Sequence, residues 1–187
     1  WNGAITLPYE IRLETRDGEI RLVQEPVKEL ASLRTKEHSW ENLLLAEDSP
    51  NPLADLQLDK CEILARIDVS GATEVAFDLR AGGGQVTTVS YNRLTGMLSV
   101  DRRAAGANPK PDFPGVYTKS IKVQKGIIQL HMFLDWSSLE VFADGSVCTA
   151  LIYPDRDSRG LHLRAIGGAA RVESLRIFEQ ASMFRQK

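Results

Sequence analysis

Short runs in which apolar and polar residues alternate, each closed by Gly, Asp, Asn, Ser or Pro, recur along this chain and decide what it can fold into. Alternation with period 2 puts successive side chains on opposite faces of an extended strand, whereas a helix would repeat near 3.6. Residues 9–14 and 19–24 flank Arg16-Asp17-Gly18, and residues 74–80 and 85–91 flank Ala81-Gly82-Gly83-Gly84. Glycine takes the positive φ angles of a tight reversal, so both pairs predict hairpins. Residues 92–96 turn the chain into 97–101, and further runs follow at 127–134, 139–143, 147–153, 161–166 and 171–178. Asp144-Gly145, between two of these runs, suits a type I′ turn. So many short strands predict an all-β fold, a two-sheet sandwich or a barrel.

Two stretches interrupt the rhythm. Residues 25–51 mix Leu33, Trp40, Leu43, Leu44 and Leu45 with charges and have room for one helical turn. Residues 102–115 contain Asn108-Pro109, Lys110-Pro111 and Phe113-Pro114, steps that disfavour both helix and interior strand. With Phe113 inside it and Tyr117 just beyond, this second stretch reads as an ordered surface loop rather than a linker. No internal repeat or low-complexity tract divides the chain, so its 187 residues are read as a single domain.

Charge and composition remove several classes of function. Lys and Arg number 23 against 25 Asp and Glu, and no basic stripe stands out, which argues against nucleic acid as a partner. No apolar run approaches the roughly 20 residues of a membrane-spanning helix, so no membrane partner is expected. A chain opening at Trp1-Asn2-Gly3 without methionine reads as excised from a longer polypeptide. Cys61 and Cys148 lie far apart in apolar, strand-like runs and read as buried free thiols rather than a disulfide framework.

The search for chemistry finds little. Ala81-Gly82-Gly83-Gly84 lacks the Lys-Ser/Thr and the following helix of a phosphate-binding loop. His38, His131 and His162 show no metal spacing, and the two strand histidines, His131 and His162, read as hydrogen-bonded structural residues. No metal or cofactor is expected. One pair of carboxylates invites comparison with a glycosidase: Asp135 and Glu140 flank Trp136-Ser137-Ser138-Leu139, and a retaining glycosidase holds two carboxyl groups about 5 Å apart. If residues 135–138 form a four-residue turn, Leu134 faces Leu139 and Phe133 faces Glu140. The simpler reading, preferred here, has Asp135 bracing that turn and Glu140 contacting a neighbouring strand or loop. Trp40 and Trp136 are candidate sugar-stacking platforms, although a tryptophan more often packs, and Trp136 is the better placed of the two.

Two segments resemble a known family. Trp1-Asn2-Gly3-Ala4-Ile5-Thr6-Leu7-Pro8-Tyr9-Glu10-Ile11, with Gln24-Glu25-Pro26-Val27 after the first hairpin, resembles the entry to the C-terminal domain of glycoside hydrolase family 32, the levanases, inulinases and invertases. Tyr9 stands where that family usually has arginine. Leu130-His131-Met132-Phe133-Leu134-Asp135-Trp136-Ser137-Ser138-Leu139-Glu140-Val141-Phe142, followed by Asp144-Gly145, is similar to its Asp-x-Ser-Ser-x-Glu-Val-Phe signature. Trp136 replaces the more usual arginine or glycine.

The resemblance implies a two-sheet antiparallel β-sandwich of the concanavalin-like jelly-roll kind, with Asp135, Ser137, Ser138 and Glu140 as a structural turn signature. It also implies that catalysis resides on an N-terminal five-bladed propeller whose Asn-Asp-Pro-Asn, Arg-Asp-Pro and Glu-Cys motifs do not occur in this chain. The expected function is a non-catalytic domain that stabilises that propeller, with fructan or sucrose binding and oligomer contacts as further roles. Trp1, Pro8 and Tyr9 are the candidate residues at the domain interface. A free-standing lectin-like module is the rival reading.

Overall fold

A computed structural model describes residues 5–16, 18–108, 110 and 112–182. The chain opens with a two-stranded ribbon, β1 (Tyr9–Arg16) and β2 (Glu19–Pro26), and a 3₁₀ turn at Lys28–Leu33 leads into β3 (Arg34–Leu45) and β4 (Cys61–Asp68). It then crosses to a second sheet for the meander β5 (Glu74–Gly82), β6 (Gln85–Asn92), β7 (Met97–Ala104) and β8 (Val116–Ser120). It returns for β9 (Ile127–Leu134), β10 (Ser138–Ala143) and β11 (Ser146–Leu151), crosses once more for β12 (Gly160–Ile166), and ends in β13 (Ala170–Gln180). The first sheet has the order β11-β10-β9-β4-β13-β3 and the second β12-β5-β6-β7-β8, with antiparallel neighbours throughout. The architecture is a two-sheet antiparallel β-sandwich.

Alternation explains the core. Ile63 and Ile67 of β4, Met132 and Leu134 of β9, and Leu175 and Ile177 of β13 meet Val75, Phe77 and Leu79 of β5 and Leu161 and Leu163 of β12 in one buried cluster. The turns follow from local chemistry. Gly83 and Gly84 (φ +57° and +78°) and Asp144 and Gly145 (φ +48° and +70°) each close a two-residue hairpin with both angles positive, as a type I′ turn demands. Asp17, in the first expected turn, lies outside the described residues.

Three elements differ from the sequence reading. Residues 25–51 do hold a 3₁₀ turn, but also the twelve-residue strand β3. β3 is the edge of its sheet, and its Lys36, Glu37 and Glu41 are exposed, so no clean alternation marks it. β8, also an edge strand, escaped for the same reason. The expected strand at 147–153 ends at Leu151, and Tyr153 instead forms a parallel bridge with Gly106. The thiols are free: β9 and β10 lie between the strands of Cys61 and Cys148, and three steps of about 4.8 Å exceed the roughly 7 Å Cα separation that a disulfide allows. Burial pushes the Cys61 thiol up to about 12.

Candidate functional site

The outer face of the six-stranded sheet carries Glu140 and His131. A second apolar cluster lies there: Phe133 of β9, Phe142 of β10 and Leu30 of the 3₁₀ turn, packed with Leu7, Tyr9, Val27, Leu33 and Val147. The segment entering the sandwich therefore wraps over β9 and β10. Beside it runs a groove of about 680 Å³, bounded by the ribbon, the 3₁₀ turn and the sheet.

The turn between β9 and β10 has the geometry expected of residues 135–138. Leu139 pairs with Leu134 and Glu140 with Phe133. The Asp135 amide donates to the Ser138 carbonyl at 2.9 Å, the Trp136 amide donates to Asp135 Oδ1 at 2.7 Å, and the Ile152 amide donates to the Ser137 carbonyl at 3.0 Å. Asp135 thus braces the turn from an exposed position. Glu140 is 2% exposed; its Oε1 accepts the Leu7 amide at 2.6 Å, and its Oε2 is buried without a hydrogen bond. Burial pushes this carboxyl above its ordinary 4.5, and the Leu7 amide opposes the shift.

An acid raised on folding ionises first in the unfolded chain, so Glu140 makes stability fall as pH rises from about 4.5 through the raised value. Glu140→Gln keeps an oxygen for Leu7 and removes the ionisation. Between pH 4.5 and pH 7 its urea midpoint is expected to gain on that of the wild type. Two curves that stay parallel across this range would contradict the assignment.

The tryptophans part company. Trp40 lies opposite Leu175 and packs half-buried against the main core, where it serves the fold. Trp136 is 59% exposed at the turn tip, with Lys60 Nζ 5.8 Å from its ring centroid. Of the interface candidates, Trp1 lies outside the described residues. Pro8 is exposed, and Tyr9 turns inward, its ring meeting Phe142 edge-on at 6.2 Å.

Sequence reading missed the most strongly coupled group. Glu62 of β4 is 1% exposed; Arg34 Nε and Nη2 donate to its two oxygens at 2.7 and 2.6 Å, and His131 Nε2 lies 2.7 Å from Oε1. Burial pushes its carboxyl up, but the bonds from Arg34 and His131 outweigh that and hold it at about 2. The one available signal was phase: Glu62 alternates with the inward Cys61 and Ile63 and so faces away from the core, and the β4–β9 pairing puts His131 on the same side. Arg102, in the loop read as surface, is fully buried, with its guanidinium 4.6 Å from the Phe113 ring and donating to Asn108 Oδ1 at 2.7 Å. Among the described residues, no three His, Cys, Asp or Glu side chains gather as a metal site would require.

Comparison with known proteins agrees with this architecture. A levanase of Bacillus subtilis (strain 168) is 40% identical over 183 residues, 95% of this chain and 27% of that enzyme. A levanase of Bacillus sp. (strain L7) is 31% identical over 192 residues, 100% of this chain and 21% of that enzyme. The chain thus spans about a quarter of the length of these curated relatives. The crystal structure of exo-inulinase from Aspergillus awamori superposes with a TM-score of 0.83 at 24% identity, covering 96% of this chain and 36% of that one. The family described as Glycosyl hydrolases family 32 C terminal matches residues 29–179, and the chain belongs to that family.

Proposed function

We propose that this chain is the non-catalytic accessory sandwich of a fructan- or sucrose-hydrolysing glycosidase, and that it stabilises the catalytic propeller of its parent enzyme. The observation that carries this reading is the state of Glu140. A nucleophile or general acid must reach its substrate, and here one oxygen is engaged by the Leu7 amide while the other is sealed from solvent. Asp135 is engaged in its own turn. The named activities of the relatives, levanase and exo-inulinase among them, supply the class of substrate proposed for the parent.

Purified chain is expected to release no fructose from levan, inulin or sucrose. Turnover abolished by Asp135→Asn would overturn the reading. The exposure of Trp136 favours a second reading, a lectin-like sugar contact, since an open indole face suits the C–H face of a sugar ring. Retention of the chain on immobilised levan, lost in Trp136→Ala, would favour that second reading.

A further inference from the structure

The groove beside the ribbon continues past its first recess. A second recess, of about 540 Å³, shares Glu25, Arg66, Gln129, Asp144 and Gly145 with the first and is bounded beyond them by residues 121–128. Strand register sets the floor. Ser174 of β13, Arg66 of β4 and Gln129 of β9 stand side by side, and the next row along the same face is Arg176, Leu64 and His131. Gln24 of β2 lines the ribbon side. The charges are already matched. Each arginine and carboxylate lining the two recesses is in an ion pair: Arg34 with Glu62, Arg16 with Asp144, Arg66 with Glu173, Arg176 with Glu37, and Glu25 with Arg12. The lysines, Lys28, Lys122 and Lys125, are exposed, so salt screens them and they define no anion pocket. The side chains of Gln24, Gln129 and Ser174, by contrast, make no hydrogen bond among the described residues.

We infer that this groove binds a neutral fructan chain, held by Gln24, Gln129 and Ser174 over Leu64. The substrate class rests on the proposed function; the neutrality and the groove do not. An amide offers a carbonyl acceptor and two N–H donors, and a hydroxyl both donates and accepts. Groups of that kind match the hydroxyls of a sugar, which also donate and accept, whereas an anion calls for charged donors that are not already paired. Leu64, half-buried between Arg176 and His131, gives the C–H face of a sugar ring an apolar contact. The first recess, at about 680 Å³, lies within the roughly 300–1,000 Å³ of small-molecule sites. Its continuation into the second selects a chain of sugar units over a single one.

The test is titration calorimetry of the 187-residue chain with pentasaccharides prepared from levan and from inulin. Gln129→Ala with Ser174→Ala is expected to weaken binding by about 10-fold or more, the worth of the hydrogen bonds removed. The urea midpoint of that double variant is expected to match the wild type, since neither side chain is bonded in the free chain. Trp136→Ala is expected to leave the affinity unchanged. Binding of neither pentasaccharide overturns the proposal. So does affinity lost in Trp136→Ala but kept in the double variant, which would put the sugar at the turn tip. Equal affinity for maltopentaose overturns the substrate class, and tighter, salt-sensitive binding of dextran sulfate would make the groove an anion site instead. The accessory function fails on a separate measurement, the release of fructose by the purified chain.

Discussion

Glu62→Ala is expected to destabilise the sandwich by about 3–5 kcal/mol, the cost of leaving one half of a buried ion pair without its partner. The carboxylate is 1% exposed and receives two bonds from Arg34 and one from His131. Its loss strands the guanidinium, which lies 4.2 Å from the Phe178 ring centroid. Arg34 keeps 28% of its side-chain surface in water, so partial rehydration places the cost nearer the lower figure. The depressed acidity agrees in size: a carboxyl at about 2 against an ordinary 4.5 corresponds to about 3 kcal/mol. The sign is that of a depressed acid. The contribution is complete above about 4.5 and is lost as pH falls toward 2. Urea midpoints at pH 7 and pH 3 should therefore show the gap between wild type and Glu62→Ala narrowing in acid. A gap that is absent at pH 7, or unchanged at pH 3, would refute the role given to this cluster.

Gly106→Ala is expected to cost about 3 kcal/mol or more, and Gly83→Ala only about 1 kcal/mol. Both glycines have positive φ, +89° and +57°, so both substitutions incur backbone strain. They differ in what a new Cβ would meet. At Gly83 nothing lies within 4 Å, whereas at Gly106 the Cβ would sit 2.0 Å from the Tyr153 carbonyl oxygen and 2.9 Å from Pro154 Cα. Those are backbone atoms and cannot rotate away. Relief requires parting Gly106 from Tyr153, which also breaks the bond from the Tyr153 amide to the Ala105 carbonyl at 3.0 Å. The loop that buries Arg102 would open with it. Thermal unfolding of the two variants side by side checks this, and equal losses would show that the close approach carries no energy.

What the residues make legible is local. Asp144-Gly145 marks its own turn, and the four residues from Asp135 to Ser138 are enough to set the pairing of Leu134 with Leu139. The family signature falls on that same turn, so fold and family are legible together. Edge strands are not: β3 presents Arg34, Lys36, Glu37 and Glu41 among its apolar residues, a pattern shared with loops. Non-local partners are equally hidden. Nothing near Glu62 in sequence announces Arg34, 28 residues before it, or His131, 69 residues after it. Chain position points to Trp1, Pro8 and Tyr9, but it does not report facing within the described residues: Pro8 is exposed, whereas Tyr9 packs on Phe142.

The proposed accessory role is tested most directly by the lifetime of the fructan hydrolysis proposed for the parent enzyme, measured at elevated temperature with the sandwich present and with the chain truncated after Pro26. The sandwich is expected to leave the initial rate on levan or inulin nearly unchanged and to lengthen the half-life about 10-fold or more, because kinetic stability follows from contacts that resist unfolding. Truncation that abolishes the initial rate in a correctly folded propeller would contradict the account, since it would place catalytic groups in the sandwich; equal half-lives would contradict it from the other side.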